Sequence, residues 1–389
     1  MLLLIIYLGF VSLGLPDSLF GSAWPILQPQ FDVPLSYAGI VTMIISGGTI
    51  LASLLSDRLT FRFGAGKVTA VSVGMTAVAL LGFSCAKAFW VLPLWSVPLG
   101  LGAGAVDAAL NNFVALHFAS RHMSWLHCFW GLGASVSPYI MGFWLSKDLR
   151  WDRGYLTVGL IQIVMTVLLF LSLPLWKKAE QKEGLSAART APKTLKEIAR
   201  LPGIFYVLIA FFSYCAIEGI AFAWTSSYLV RNRALMEEDA ARFASLFYLG
   251  MTVSRFITGF FADRLGDKRL IRYGYIVCFL GIGLLFIPTP SALPCLIGLF
   301  VAGLGCGPVY PAIIHATPHV FGKENSQAVV GVQMASAYCG TTFMPPLFGL
   351  VANRIGLGLF PGVLFGFAVL GFFLLELLNR RTKQTNPLS

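Results

Sequence analysis

Asp17, Asp107 and Glu218 are acids in places where acids are expensive. Each stands inside a long apolar run, at about residues 2–28, 91–116 and 204–230. If those runs cross a bilayer, an ionised carboxylate at mid-depth costs about 2.5–3.5 kcal/mol, and three cost roughly 8–10 kcal/mol. A helix bundle would fold better with apolar residues there, so the expected chemistry is binding and release of a small cation, a proton or a sodium ion. Arg255 lies in a similar run and offsets one acid, which leaves two without an opposite charge. Asp17 and Asp107 read as ion-coupling residues. Glu218 reads equally as a coupling residue or a hydrogen-bonded packing residue. His127, in Leu126-His127-Cys-Phe-Trp130, reads as a neutral histidine bonded between helices or as a proton relay.

A solute site at the same depth needs amides and flat rings. The candidates are Trp24, Gln28, Asn111, Asn112, Trp130, Trp224, Tyr228, Tyr310 and Gln333, with Tyr139, Gln162 and Tyr338 as further possibilities. Amides hydrogen-bond hydroxyls and aromatic faces cover the C–H faces of a sugar ring, so this set fits a neutral polyol. With Arg255 as the one cation at depth, a phosphate or dicarboxylate fits less well. Asp57 and Arg58, and again Asp263, Arg264 and Arg269, follow apolar runs in Asp-Arg pairs. They read as a latch, charge pairs that hold one conformation at a helix end. His117, His122, His315 and His319 fall near helix ends and read as interface residues.

These side chains need membrane helices to place them. Of 389 residues, 57% are hydrophobic and 12% charged, about half the charge of a soluble domain. The excess runs along the whole chain, and its length accommodates roughly twelve spans of about 20 apolar residues. They are expected at 2–28, 35–56, 67–86, 91–116, 124–146 and 155–176, then at 204–230, 240–262, 270–288, 291–316, 326–351 and 357–378. The fold class is an all-α membrane protein, twelve transmembrane helices in two pseudo-symmetric six-helix bundles. The expected division is an N-terminal bundle over 1–176, a cytoplasmic linker over 177–203 and a C-terminal bundle with a short tail over 204–389. Within the linker, 194–201 reads as a short amphipathic surface helix. With both termini inside, inner loops hold more than twice as many Lys and Arg as outer ones, which sets the orientation. The net charge of +11 is thus a topology signal and not a nucleic-acid footprint. The localisation that follows is a bacterial-type cytoplasmic (inner) membrane, multi-pass, with the lipid bilayer as partner. The protein is expected to be a monomer.

The halves repeat. Ser53-Leu-Leu-Ser-Asp57-Arg58-Leu59 parallels Gly259-Phe-Phe-Ala-Asp263-Arg264-Leu265, Gly102-Ala-Gly104 parallels Gly305-Cys-Gly307, and Ala23-Trp24 parallels Ala223-Trp224. The order and near-constant offset indicate a duplicated six-helix unit. The glycines of helices 4 and 10 read as close-packing positions, and Pro138, Pro308, Pro311, Pro345 and Pro346 as bends. Seven scattered cysteines without a CxxC pair read as small buried residues, and no cofactor or metal is expected. HExxH and GxSxG are absent, and Asp107 lacks the preceding glycine of a GxGD motif, so an intramembrane enzyme is not expected. No filter or ring of charge points to a channel.

Gly259-Phe-Phe-Ala-Asp263-Arg264-Leu265-Gly266-Asp-Lys268-Arg269 is similar to the loop motif Gly-x-x-x-Asp-Arg-x-Gly-x-Lys/Arg of the major facilitator superfamily. The copy around Asp57 departs from it, with Ser53 for the glycine and Thr60 after the Asp-Arg pair. Within that superfamily the chain resembles the fucose:proton symporters and the related sodium-dependent glucose transporter-like proteins. Gly14-Leu-Pro-Asp17, Ala23-Trp24-Pro25, Asp107-Ala-Ala-Leu-Asn111, Leu126-His127 with Gly131-Leu-Gly133-Ala, Tyr214-Cys-Ala-Ile-Glu218 and Leu249-Gly250-Met-Thr-Val-Ser-Arg255 carry that resemblance. In the fucose symporters a helix 1 Asp and a helix 4 Glu are implicated in proton coupling. The resemblance places those roles on Asp17 and Asp107, the latter a shorter acid. The expected function is ion-coupled symport of a small polar solute, a sugar, by alternating access. The alternative is proton-driven export of amphipathic compounds.

Overall fold

The computed structural model describes residues 1–147, 150–182 and 191–385. Part of the linker, 183–190 with Glu183 and Arg189, and the end of the tail, 386–389, lie outside the described residues. In the first half come α1 (Leu2–Asp17), α2 (Leu19–Gln30), α3 (Ala38–Phe63), α4 (Ala65–Ser84), α5 (Val91–His117), α6 (Ser120–Leu145), α7 (Trp151–Leu171) and α8 (Leu173–Lys182). The short α9 (Leu195–Ala199) starts on a capping box in which Thr194 and Glu197 satisfy each other's backbone amides. In the second half come α10 (Ile204–Arg233), α11 (Glu237–Ala244), α12 (Leu246–Thr258), α13 (Ala262–Leu265), α14 (Asp267–Leu285), α15 (Leu293–Cys306), α16 (Val309–Phe321), α17 (Ser326–Ile355) and α18 (Phe360–Thr385).

Eight helical stretches among the described residues are long and apolar enough to cross a membrane. The other four expected spans fall on α6, α11–α12, α14 and α17, and each has a reason for its weaker signal. α6 and α17 are rich in Gly, Ser and Thr, α14 opens on Asp267, Lys268, Arg269 and Arg272, and the α11–α12 run breaks at Ser245. Not every proline read as a bend interrupts its helix. Pro308 does sit at the α15–α16 junction, but Pro138, Pro345 and Pro346 lie inside unbroken helices. Helix 1 instead divides at Ser18, one residue past Asp17.

The chain forms two compact units. The first holds Met1–His117, Trp125–Lys193 and Lys323–Ala335; the second holds Phe118–Ser124, Thr194–Gly322 and Ser336–Ser389. Each shows the same pairing of helices. In the first, α1 packs on α7, α3 on α5, α4 on α5 and α4 on α7; in the second, α10 packs on α18, α12 on α15, α14 on α15 and α14 on α18. The glycines read as packing positions do that work: a Cβ on Gly104 would collide with the Thr49 carbonyl of α3, and one on Gly303 with the Phe247 carbonyl of α12. Four of the cysteines (Cys215, Cys278, Cys295 and Cys306) are buried as expected, whereas Cys85 is exposed.

The two Asp-Arg segments end differently from the sequence reading. α3 does not stop near Asp57 but runs on to Phe63, so Asp57 and Arg58 lie within a helix. Ser53-to-Thr60 contains no glycine, and the helix continues until Gly64 (φ 81°, ψ 152°). In the second half Gly266 takes nearly the same conformation (φ 74°, ψ 155°) directly after α13. Only glycine adopts that region without strain. Gly64→Ala and Gly266→Ala are each expected to cost about 1–3 kcal/mol, read as a lower melting temperature of the detergent-purified protein. An unchanged melting temperature in both would show that the turns relax freely.

Candidate functional site

The first unit gathers most of the predicted ion-coupling residues on three helices. α1 and α6 touch through small residues: a Cβ on Gly14 would collide with the Trp130 carbonyl, and one on Gly133 with that of Val11. This close approach brings the Trp130 indole to helix 1, where Nε1 donates to Asp17 Oδ2 at 2.8 Å. Asp17 is nonetheless an exposed residue, the last of the otherwise apolar α1, beside the break at Ser18. One carboxylate oxygen is thus fixed by a neutral donor.

Asp107 is the opposite case, 4% exposed on α5. Asn111, one turn along the same helix, donates from Nδ2 to Asp107 Oδ1 at 2.8 Å. The Asn111 Oδ1 lies 3.1 Å from His127 Nε2. An amide oxygen only accepts, so His127 carries its proton on Nε2 in this arrangement. The imidazole is set by an edge contact with Phe10 of α1, centroids 5.4 Å apart. His127 and Trp130 are three residues apart on one face of α6. Both acids are therefore reached through α6: Asp17 through Trp130, Asp107 through His127 and Asn111. The Asp107 charge is also within electrostatic reach of Asp17.

Glu218 belongs to the second unit and is not brought to that group. Its Oε1 lies 3.3 Å from Arg255 NH2, with the two side chains 14% and 5% exposed. Tyr214 OH also donates to Glu218 at 3.3 Å and lies 3.0 Å from the Cys306 carbonyl, while Tyr248 OH donates to the Glu218 carbonyl at 3.1 Å. Arg255 therefore offsets this particular acid.

The predicted solute-site residues divide. Trp24 is buried among Phe20 and Phe89, and its Nε1 has no hydrogen-bond partner among the described residues. Gln28 donates to the Val33 carbonyl at 2.5 Å, closing the end of α2. Asn112 donates to Gln327 (2.7 Å) and accepts from Ser326 (2.6 Å), which ties it to the first turn of α17. Gln333 is fully buried. Trp224 donates to the Pro345 carbonyl at 2.9 Å, and Tyr228 stacks on Phe360 with its OH 3.4 Å from the Leu285 carbonyl. Tyr310 is half-buried and stacks on Phe211, centroids 4.6 Å apart. Of the further possibilities, Gln162 is bonded to Ser12 on α1, and Tyr139 is 81% exposed.

The latch residues also have particular partners. Asp57 accepts the backbone N–H of Lys193 at 2.9 Å. Asp263 accepts from the Arg121 amide at 3.0 Å and pairs with its guanidinium at 3.2 Å. Arg58, Arg264 and Arg269 are exposed. Arg121 is not among the residues that the sequence singles out, because a partner 142 residues away leaves no trace in local spacing. His315, read as an interface residue, is in fact buried and bonded to Asp267 and to the Phe118 carbonyl. Among the described residues no three His, Cys, Asp or Glu side chains stand where they could hold a metal.

The profile of the Major Facilitator Superfamily matches residues 6–238 and again 237–389. "Bypass of stop codon protein 6" of Saccharomyces cerevisiae is 25% identical over 388 residues, covering 90% of this chain and 77% of that one. The glucose/mannose transporter GlcP of Bacillus subtilis is 23% identical over 399 residues, covering 98% and 96%. The crystal structure of the E. coli fucose:proton symporter FucP superposes with a TM-score of 0.73 at 16% identity, covering 96% of this chain and 98% of that one, a likeness of fold. Two profile matches that together span nearly the whole chain, on a twelve-helix architecture whose two units share one pairing pattern, place it: this protein is a transporter of the major facilitator superfamily.

Proposed function

We propose that this transporter is an ion-coupled symporter that imports a small polar solute, a sugar, together with a proton, by alternating access of two six-helix bundles. The observation that carries the reading is a pair of acids in apolar helices, each accepting from a neutral donor: Asp17 exposed and bonded to Trp130, Asp107 buried and bonded to Asn111, whose amide oxygen meets His127. An exposed carboxylate held by one neutral donor can take up and give back a proton without dismantling its surroundings. A buried one must be neutral or transiently charged, so its ionisation is tied to conformation. Arg255 is committed to Glu218 and is not free to clamp an anionic cargo, which favours a neutral one. By their names, GlcP transports glucose and mannose, and FucP carries fucose with a proton. In this reading the bundles are 1–176 and 204–389, both termini are cytoplasmic, the host is a bacterial-type inner membrane and the working unit is a monomer.

Purified protein in proteoliposomes tests the reading. Labelled hexoses and 6-deoxyhexoses are expected to enter against their gradient when the outside is made acidic. Collapse of the proton gradient by an uncoupler is expected to leave only equilibration. Accumulation driven by a sodium gradient alone would replace the proton by sodium. Failure to move any sugar, with export of an amphipathic dye, would replace symport by export.

A further inference from the structure

Residues 118–124, the short α5–α6 link and the first turn of α6, belong to the second unit, and the groups that hold them there are named side chains. Arg121 grips Asp263. Ser120 Oγ donates to Asp267 Oδ1 at 2.6 Å. His315, on α16 and 9% exposed, lies between the two elements: its Nδ1 is 2.7 Å from Asp267 Oδ2, and its Nε2 is 3.0 Å from the Phe118 carbonyl oxygen.

A backbone carbonyl can only accept, and so can an ionised carboxylate. A neutral imidazole has one N–H and one lone pair, so with Asp267 ionised it cannot satisfy both contacts: one would set a lone pair against an oxygen at hydrogen-bond distance. Both are made only if the pair carries one proton more, as an imidazolium bridging two acceptors. The surrounding charges allow it. Asp267 of α14 and Asp263 of α13 are the acids facing this end, and Arg121 is committed to Asp263. His319, on the same helix, lies beyond with ring centroids 6.1 Å apart, and His122 stands beside Arg121. One extra proton balances the second acid.

We propose that His315 and Asp267 form a proton-operated clasp on residues 118–124: closed while the pair holds its extra proton, and released when that proton leaves. This second titrating site is independent of Asp17 and Asp107, and its existence does not depend on which solute is carried. It makes the attachment of the α5–α6 link and the first turn of α6 a function of pH near the ordinary range of histidine.

Hydrogen–deuterium exchange of the purified full-length protein in nanodiscs tests this, at about pH 6, 7.5 and 9, with each rate corrected for intrinsic exchange. The readout is the peptide spanning 118–124, with a peptide inside α5 as internal reference. Protection of 118–124 is expected to fall roughly tenfold or more from the acidic to the alkaline condition, the equivalent of one charged hydrogen bond. The α5 reference is expected to stay level. His315→Gln, which cannot bridge both acceptors through a proton, should give a flat profile at the weakly protected level. His315→Lys, with a charge that does not titrate in this range, should stay protected at the alkaline end. A flat wild-type profile overturns the clasp by itself, whether or not the variants fold. An undiminished pH response in His315→Gln overturns it equally.

Discussion

Asp17→Asn is expected to abolish uphill accumulation of the solute while exchange of labelled for unlabelled solute continues. The substitution is mild in structure: the Trp130 indole that donates to Asp17 Oδ2 can donate to the amide oxygen of an asparagine. What disappears is the charge and the proton. Moving one elementary charge through 100 mV is worth about 2.3 kcal/mol, which sustains roughly forty- to fiftyfold accumulation. A carrier without its coupling acid should therefore equilibrate, with an inside-to-outside ratio of about one. Asp107→Asn should do the same, because an asparagine there still offers an oxygen to Asn111. The measurement is steady-state accumulation and counterflow in the same proteoliposomes. Equal loss of both, or intact accumulation, would remove the coupling role from that acid.

The second large effect is on stability. Arg255→Met is expected to destabilise the protein by about 3–5 kcal/mol, because it leaves the Glu218 charge half-buried without its cation. The Arg255→Met, Glu218→Gln double variant should recover much of that loss, since a neutral amide can keep the Tyr214 hydroxyl. Thermal unfolding of the detergent-purified wild type, single and double variants forms the cycle. A double variant no more stable than the single would show that Glu218 was neutral all along.

The acids themselves were legible in the sequence because an acid in an apolar run is costly wherever it lies. So were the duplicated architecture and the close-packing glycines, because hydropathy and small-residue spacing are local signals. Their partners were not. Trp130 reaches Asp17 across 113 residues, and Gln162 reaches Ser12 across 150. Such pairs are settled by which helices pack together, and no spacing within one helix announces them. The pairing of Arg255 with an acid followed from charge balance, but the choice of Glu218 required the packing of α10 and α12. Helix ends failed where a side chain was judged by its distance from the loop: His315 falls near the end of the expected 291–316 span, yet it stands midway along α16, where Asp267 of α14 and the Phe118 carbonyl meet it.

Gly64 and Gly266 make the same turn, but Asp57 stands seven positions ahead of the first and Asp263 three ahead of the second. Four extra residues of helix are about 6 Å, just over one turn. The ancestral acid has thus been carried up its shaft in one repeat and left at the corner in the other. It fastens a connecting strap's backbone in the first case and an arginine in the second. A duplication that preserved the scaffold has in this way produced two unlike fittings, one indifferent to the identity of the side chain it grips and one that depends on it.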